Sequence, residues 1–536
     1  MRYVIFISCL VFLVGCGNRE ASVESGIHDG TLHVGNGAEP QSLDPHLTTG
    51  ELETNIQNAI FEGLLVPDPY TGEPSAGAAS HWEMSDDQLV YTFHIRPEAQ
   101  WSDGKGLTAQ DFVDTYKRAL SPALAAEAAI HFYGVVGASD YGEGKTTDFS
   151  NVGFKALGTH TLQVTLIQPL PHILKLIMHR SWFPLRVDLI EAFGRIDERG
   201  TRWTLPGNLV GNGPFNLTAW RQNESILVEK SLTYWDADNV KLNRIYFYPI
   251  ENVNTEERAY RSGRLHITNN SSSIPLARLD YYREEEPDHL WLKPYGRNYF
   301  LLVNPDAVPF KDSRVRRALS LAIDREAFAE VVMKGIWTPA YNLVPAGLDG
   351  YKAGKQFESD LEEARRLLVE AGYPNGEGFP DVEVIYPPRG ENSRFLQAIL
   401  GNWQSVLGVN VALKQMEWKV WLDTLKQGDY QLSTDGWNIN NAHRFFQLFV
   451  TGNLESYYLW SDTEYDQVFD EAAKALTVEG RFAKYDQLEK ILAQESPLMP
   501  LSFAKRSQLV HPFVKGRCEN AYDVHPWKGI YLEAVE

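Results

Sequence analysis

Three short segments gather the side chains best suited to recognition: Pro387-Pro388-Arg389, Met416-Glu417-Trp418 and Trp437-Asn438-Ile439-Asn440. Their two indoles offer flat apolar walls, the guanidinium a charged fork, and the amides paired donors and acceptors. Such a set suits reversible capture of a bulky, partly polar ligand. Covalent chemistry has no comparable signature. The sequence lacks a Gly-x-Ser-x-Gly elbow, a Gly-x-x-x-x-Gly-Lys-Ser/Thr phosphate loop and a His-Glu-x-x-His zinc pair. Gly35 and Gly37 are too few for a dinucleotide fingerprint. His172 and His179 stand seven residues apart, too far to share a metal without help, and read as core or surface histidines. Glu417 and Asp435 are the one carboxylate pair worth naming for a glycosidase-type reaction, and their separation is a three-dimensional question. No catalytic residue, metal ligand or cofactor is expected.

One further residue has chemistry of its own. Arg2 and the uncharged run Tyr3 to Leu13 have the make-up of a signal-peptide core. The run is too short for a membrane-spanning helix, which needs about 20 residues. Leu13-Val14-Gly15-Cys16 then resembles a bacterial lipobox, so Cys16 is expected to be acylated and to anchor the chain at the periplasm or cell surface. Gly17, where Asp would mark inner-membrane retention, leaves either membrane open. Cys9 would leave with the signal, and Cys518 alone cannot form an intramolecular disulfide or a cysteine-rich metal site.

The net charge of −20 makes nucleic acid and acidic lipid headgroups poor partners. The 14 tryptophans suggest walls of a binding cleft more than core filling, because each indole N–H needs a partner.

The elements that must hold the three segments are legible in the hydrophobic pattern. Gly17 to Gly30 is polar and reads as a flexible leash. Leu89, Tyr91, Phe93 and Ile95 alternate as a half-buried strand, and Thr108 with Asp111 forms a capping box before Phe112, Val113, Tyr116 and Leu120. Strands are also expected around Leu162–Leu166, Arg244–Ile250 and Asn298–Val303, and a long helix over Asp312–Lys334. Ser359 and Glu362 cap a helix ending at Gly372. A βαβαβ run follows: strand Asp381–Tyr386, helix Asn392–Val406, strand Val409–Gln415, helix Glu417–Lys426 and strand Tyr430–Trp437. This predicts a mostly parallel sheet, with ligand at the carboxyl ends of its strands, where the three recognition segments fall.

Several motifs occur in order along the chain. Glu39-Pro40-Gln41-Ser42-Leu43-Asp44-Pro45 and Phe61-Glu62-Gly63-Leu64 come first, then Trp101-Ser102-Asp103-Gly104 with Thr108-Ala109-Gln110-Asp111-Phe112. Gly211-Asn212-Gly213-Pro214-Phe215, Asn304 through Pro309-Phe310, Val315-Arg316-Arg317-Ala318 and Leu407-Gly408-Val409-Asn410-Val411 complete the set. On these motifs the chain resembles the extracytoplasmic solute-binding proteins of ABC importers, in the oligopeptide- and dipeptide-binding branch (bacterial solute-binding protein family 5). The resemblance implies an α/β fold of the periplasmic-binding-protein type II: two main lobes with a hinge and an inserted extra domain. After the signal (1–16) and linker (17–30), domain I would combine 31–68, 185–292 and 501–536. Domain II would be 69–184 and domain III 293–500, with hinges near Lys293 and Pro500. It also implies a non-enzymatic, monomeric receptor that captures oligopeptides between lobes for an ABC permease and its ATPase.

The chain departs from the family where peptide ends are read. A Trp-x-x-Asp motif supplies the carboxylate for the ligand's α-amino group, and the matching stretch here ends in Asn440. The family's basic groups for the C-terminal carboxylate are replaced by Ala307, Asn392 and Thr434, and a cysteine that some members place after the Trp is Asn438. Arg389, His443 and Arg444 are the candidates to compensate for an anionic end. The expected ligand-binding set is therefore Trp418, Trp437, Asn438, Asn440, Arg389, Asn392 and His443. The cargo is an oligopeptide, or else an oligosaccharide or an N-blocked or cell-wall peptide. A lipoprotein hydrolase or a ligand sensor is the remoter alternative.

Overall fold

The computed structural model describes residues 22–268, 274–345, 347–387, 392–438, 441–453, 458–475, 477–520 and 522–534. Cys16, Arg389 and Asn440 lie outside the described residues.

Alternation drives the first sheet. In Val90–Ile95, Tyr91, Phe93 and Ile95 point inward and their neighbours outward, and the strand pairs antiparallel with Ala79–Met84 and Thr161–Thr165. Phe154–Gly158 completes four strands. Helix Ala109–Ala119 packs on this sheet. Its Thr108 side chain accepts from the Asp111 amide, and the Asp111 carboxylate accepts from the Thr108 amide at 2.8 Å. Phe112 and Tyr116 enter a core with Phe93, Phe154 and Trp182. At the helix C-terminal end, fully buried Arg118 donates to Asp44 at 3.1 and 2.5 Å and meets His46 at 2.8 Å. The pair ties the Leu43-Asp44-Pro45 segment to this lobe, and Arg118 holds the Asp44 carboxyl below its ordinary value against the opposing effect of burial.

A second sheet has the order Thr31–Gly35, Arg244–Tyr248, Ser225–Lys230 and Phe215–Arg221, the first pair parallel and the others antiparallel. Leu32, Phe61, Phe215 and Phe247 form its core with Val510, Val514 and Ile530, so early and late segments of the chain share one interior.

The βαβαβ run forms as expected, with Val382–Tyr386 parallel to both Val411–Gln415 and Leu432–Asp435. The sheet it belongs to is nonetheless mixed. Leu290–Val303, Leu498–Leu509 and Trp337–Pro339 extend it antiparallel, giving six strands. The two long strands run side by side with register shifts between Pro294 and Asn298 and between Tyr299 and Phe300. Leu290 and Leu509 pack at one end with Tyr260 and Tyr282, while Leu301 and Met499 reach the core under the parallel strands. The strand pair thus physically joins two separate cores.

Two local expectations need correction. The helix drawn over Asp312–Lys334 breaks after Leu321, resumes at Arg325–Ala327 and widens into a π-turn at Phe328–Val332. Asp324 caps the new start by accepting from the Ala327 amide at 2.9 Å. Buried Arg325 donates to the Ser320 carbonyl at the end of the first helix and to the Pro500 carbonyl on strand Leu498–Leu509, tying the break to the sheet. The following helix is capped by Asp360, not Ser359, whose hydroxyl donates to Ile323 O. Tryptophan is also used more in cores than expected: Trp101, Trp182 and Trp403 are fully buried, and Trp403 Nε1 donates to Leu319 O at 2.9 Å.

Candidate functional site

Gly436 and Trp437 shape the exit of the strand Leu432–Asp435. A Cβ on Gly436 would stand 2.4 Å from Asn298 O, so only glycine lets the chains approach. Asn298 then fixes Trp437 from both sides, donating its amide N–H to Trp437 O at 3.1 Å and accepting from the Trp437 amide at 3.0 Å. The indole N–H donates to Tyr458, whose hydroxyl donates to Asp435 at 2.9 Å. Asn438 follows, bridged to the Arg297 backbone, with its side chain exposed on a cavity of about 320 Å³.

That cavity is lined by Leu65 from the core of the first sheet and by Phe61, Phe183 and Ile530 from that of the second. One wall is helix Glu51–Ile60 with Phe61–Leu65, a second is Lys175 to Phe183, and a third combines Arg506, Arg517 and the segment Tyr522–Trp527. Its polar lining is strongly paired. Arg506 donates to Glu51 at 2.6 Å and Asp523 at 2.5 Å and lies over the Tyr295 ring. Burial alone would push the Asp523 carboxyl up, but Arg506, His525 and Arg517 bring it down to about 2. Burial likewise pushes the Glu62 carboxyl up, opposed by Lys528 and by hydrogen bonds from Tyr234 and Trp235.

Two cations in the wall hydrogen-bond to neutral groups. Arg180 donates to Thr48 O at 2.9 Å and Thr54 Oγ1 at 2.8 Å, and burial lowers its pKa to about 10. Arg517 donates to Gln508 Oε1 at 2.8 Å, lies over Trp291, and is likewise lowered to about 10 by burial. Both remain charged at neutral pH, and both suit an anionic group of a ligand.

Lys175 lines this cavity and a smaller one of about 200 Å³. Its ammonium donates to Asp349, to Glu73 at 2.9 Å and to the Tyr522 hydroxyl at 2.5 Å. Burial disfavours its charge, but Asp349 and Tyr522 more than offset this and raise its pKa. Asp349 also accepts from the Ala442 amide at 2.6 Å. Segments distant in sequence therefore meet on one charge.

The expected site residues are placed unevenly. Trp437 and Asn438 stand together at the strand exit, and Asn438 reaches the large cavity. Trp418 opens helix Trp418–Gln427 with its ring 4.8 Å from Trp421, and it is not among the residues lining that cavity. Asn392 begins helix Asn392–Leu407. His443 is not a rim cation. It is buried in the smaller cavity, 4.4 Å from the Phe469 ring and 3.1 Å from the Tyr485 hydroxyl. Burial, with His172 and Arg481 nearby, lowers its pKa to about 3, so it is neutral at pH 7 and cannot balance an anion. Glu51, Lys175, Arg180, Arg506 and Asp523 went unnoticed in the sequence because no local spacing unites them. Only the polar, aromatic run Asn520–Trp527 carried a hint.

Residues 73–456 match the family model described as bacterial extracellular solute-binding proteins, family 5 middle. The periplasmic oligopeptide-binding protein OppA of Escherichia coli K12 is 36% identical over 496 residues, covering 91% of this chain and 89% of its own. The structure of the Escherichia coli murein tripeptide-binding protein MppA matches with a TM-score of 0.78 at 29% identity, over 94% of this chain and 98% of that one. That of Haemophilus influenzae OppA in complex with RPPGFSPFR matches with a TM-score of 0.76 at 29% identity, over 94% and 99%. The family model spans most of the chain, and these relatives cover nearly all of it. The chain belongs to family 5 of the bacterial extracellular solute-binding proteins, the solute-capturing components of ABC importers.

Proposed function

We propose that this chain captures a peptide-class solute in the 320 Å³ cavity and passes it to an ABC permease and ATPase, while acylated Cys16 and the 17–30 leash hold it at the membrane. The cavity carries the proposal, since its walls come from segments far apart in sequence and its buried charges are held in place before ligand arrives. Among the described residues no helix is long and apolar enough to cross a membrane; the lipobox-like Leu13-Val14-Gly15-Cys16 supports attachment through a lipid. Relatives that bind oligopeptides and a murein tripeptide support the peptide class. Ligand closes the lobes (31–68 with 185–292 and 501–536, 69–184, and 293–500) about hinges near Lys293 and Pro500.

The cargo differs from an ordinary peptide at its amino end. Asn440 replaces the family's carboxylate, and an amide accepts a hydrogen bond from an ammonium without neutralising it. A blocked or absent amino group removes that cost. Arg180 and Arg517 receive the anionic part of the ligand. A thermal-shift screen with free, N-acetylated and cell-wall peptides and with oligosaccharides tests this reading. Ligand at 100 times its dissociation constant adds about 2.7 kcal/mol of stability. The expected shift comes from the blocked peptides. Silence from every peptide pool would sink the peptide assignment, and a response confined to oligosaccharides would keep the transport role and replace the cargo.

A further inference from the structure

The outer face of the first sheet carries a second constellation, unrelated to the cavity. Strand Ala79–Met84 lies at the edge of that sheet and pairs with Val90–Ile95. Trp82 packs toward the core, which leaves His81 and Glu83 on the opposite face. On the neighbouring strand Tyr91, Phe93 and Ile95 point inward, so His94 shares the outer face. The register sets His81 directly across from His94 and Glu83 across from Thr92, one pleat away on the diagonal. One nitrogen from each ring and one Glu83 carboxylate oxygen all fall within 4.8 Å of one another.

Several details favour a metal over a plain polar surface. His94 Nε2 is shielded from solvent without a hydrogen-bond partner, and Glu83 Oε1 is 3.6 Å away. A tetrahedral ion with bonds of about 2.0–2.2 Å keeps its ligands roughly 3.3–3.5 Å apart, so this pair is already near the required spacing. The rings of His81 and His94 stack at 4.3 Å with near-parallel planes, so binding requires the exposed His81 ring to rotate and turn its lone pair toward the shared position. Ser80 supplies an orienting bond. Its hydroxyl donates to His94 O at 3.1 Å and lies 3.0 Å from His81 Nδ1. With that proton committed, the hydroxyl accepts from His81 Nδ1–H, and the lone pair is left on Nε2.

We infer that His81, Glu83 and His94 form a binding site for a borderline divalent transition ion such as Zn²⁺. Two imidazoles and one carboxylate are the donor set such ions prefer, whereas Mg²⁺ and Ca²⁺ take mainly oxygen ligands. The remaining coordination positions face solvent at the edge strand and take water or a donor from outside the chain. A search for close metal spacing in the sequence passes over the site, because its third ligand comes from the next strand at the matching register.

The test uses the full chain without a histidine tag, titrated with Zn²⁺ by calorimetry and with Co²⁺ by visible absorption. The native protein is expected to bind one equivalent saturably, with cobalt d–d bands reporting nitrogen and oxygen ligands. His94→Gln and Glu83→Gln should each remove that equivalent and those bands, with melting curves confirming the fold. Ser80→Ala should keep the site but weaken it by about tenfold or more, as loss of an orienting hydrogen bond does. Absence of saturable binding in the native chain, or its retention in both His94→Gln and Glu83→Gln, would overturn the assignment.

Discussion

Asp523 shows how single residues in the cavity wall are poised. Burial opposes its ionisation, yet Arg506 and His525 hold its pKa at about 2, below the 3.8 of an unperturbed aspartate. A carboxyl depressed in the folded state stabilises the fold above its unfolded value and loses that contribution as pH falls through its folded value. Denaturant unfolding should therefore report about 2 kcal/mol lost between pH 4 and pH 2 from this group, and Asp523→Asn should flatten that part of the profile. Arg180 makes a separate prediction. Its replacement by Gln should weaken a ligand bearing a carboxylate by about ten- to a hundredfold in titration calorimetry, since hydrogen bonds between charged groups are worth roughly 1.5–3 kcal/mol. An uncharged analogue should lose little.

The strand exits illustrate what local pattern fixes and what it leaves to tertiary contact. Gly436 is needed because Asn298 O occupies the space of a Cβ. Gly436→Ala should cost about 1–3 kcal/mol in thermal unfolding and displace Trp437 and Asn438 together, weakening ligand as well. The βαβαβ run, the Val90–Ile95 strand and the Thr108 capping box were all readable because each depends on neighbours a few residues away. The break at Leu321–Asp324 was not. The helical pattern continues through it, and the deciding partner of Arg325, the Pro500 carbonyl, is remote in sequence. The antiparallel half of the large sheet escaped for the same reason, since Leu290–Val303 pairs with a strand that begins at Leu498. The burial of His443 is not legible in the sequence, because polarity alone says nothing about burial. Its surroundings of Phe469, Tyr485 and His172 come from three other segments.

Across the whole molecule, Lys175 is the charge on which the lobes converge, through Glu73, Asp349 and Tyr522. Removing it leaves Asp349 partly buried without its cation. Lys175→Met should lower stability by about 1–3 kcal/mol, less than for a fully buried pair because Glu73 remains half-exposed. Small-angle scattering of the ligand-free variant should also show a larger radius of gyration than the native chain, as lobes released from this contact separate. Closure around cargo is a balance between such contacts and those the ligand adds. The proposed cargo rests on Asn440, which stands where the family resemblance implies an Asp. The measurement to make is titration calorimetry of one peptide, with its amino group free or acetylated, against the native chain and Asn440→Asp. The native protein should bind the acetylated form at least about tenfold more tightly, and the variant should reverse that order, because an unpaired buried charge costs more than 1.4 kcal/mol. Equal or tighter binding of the free-amine peptide by the native chain would contradict a cavity built for a ligand without that charge.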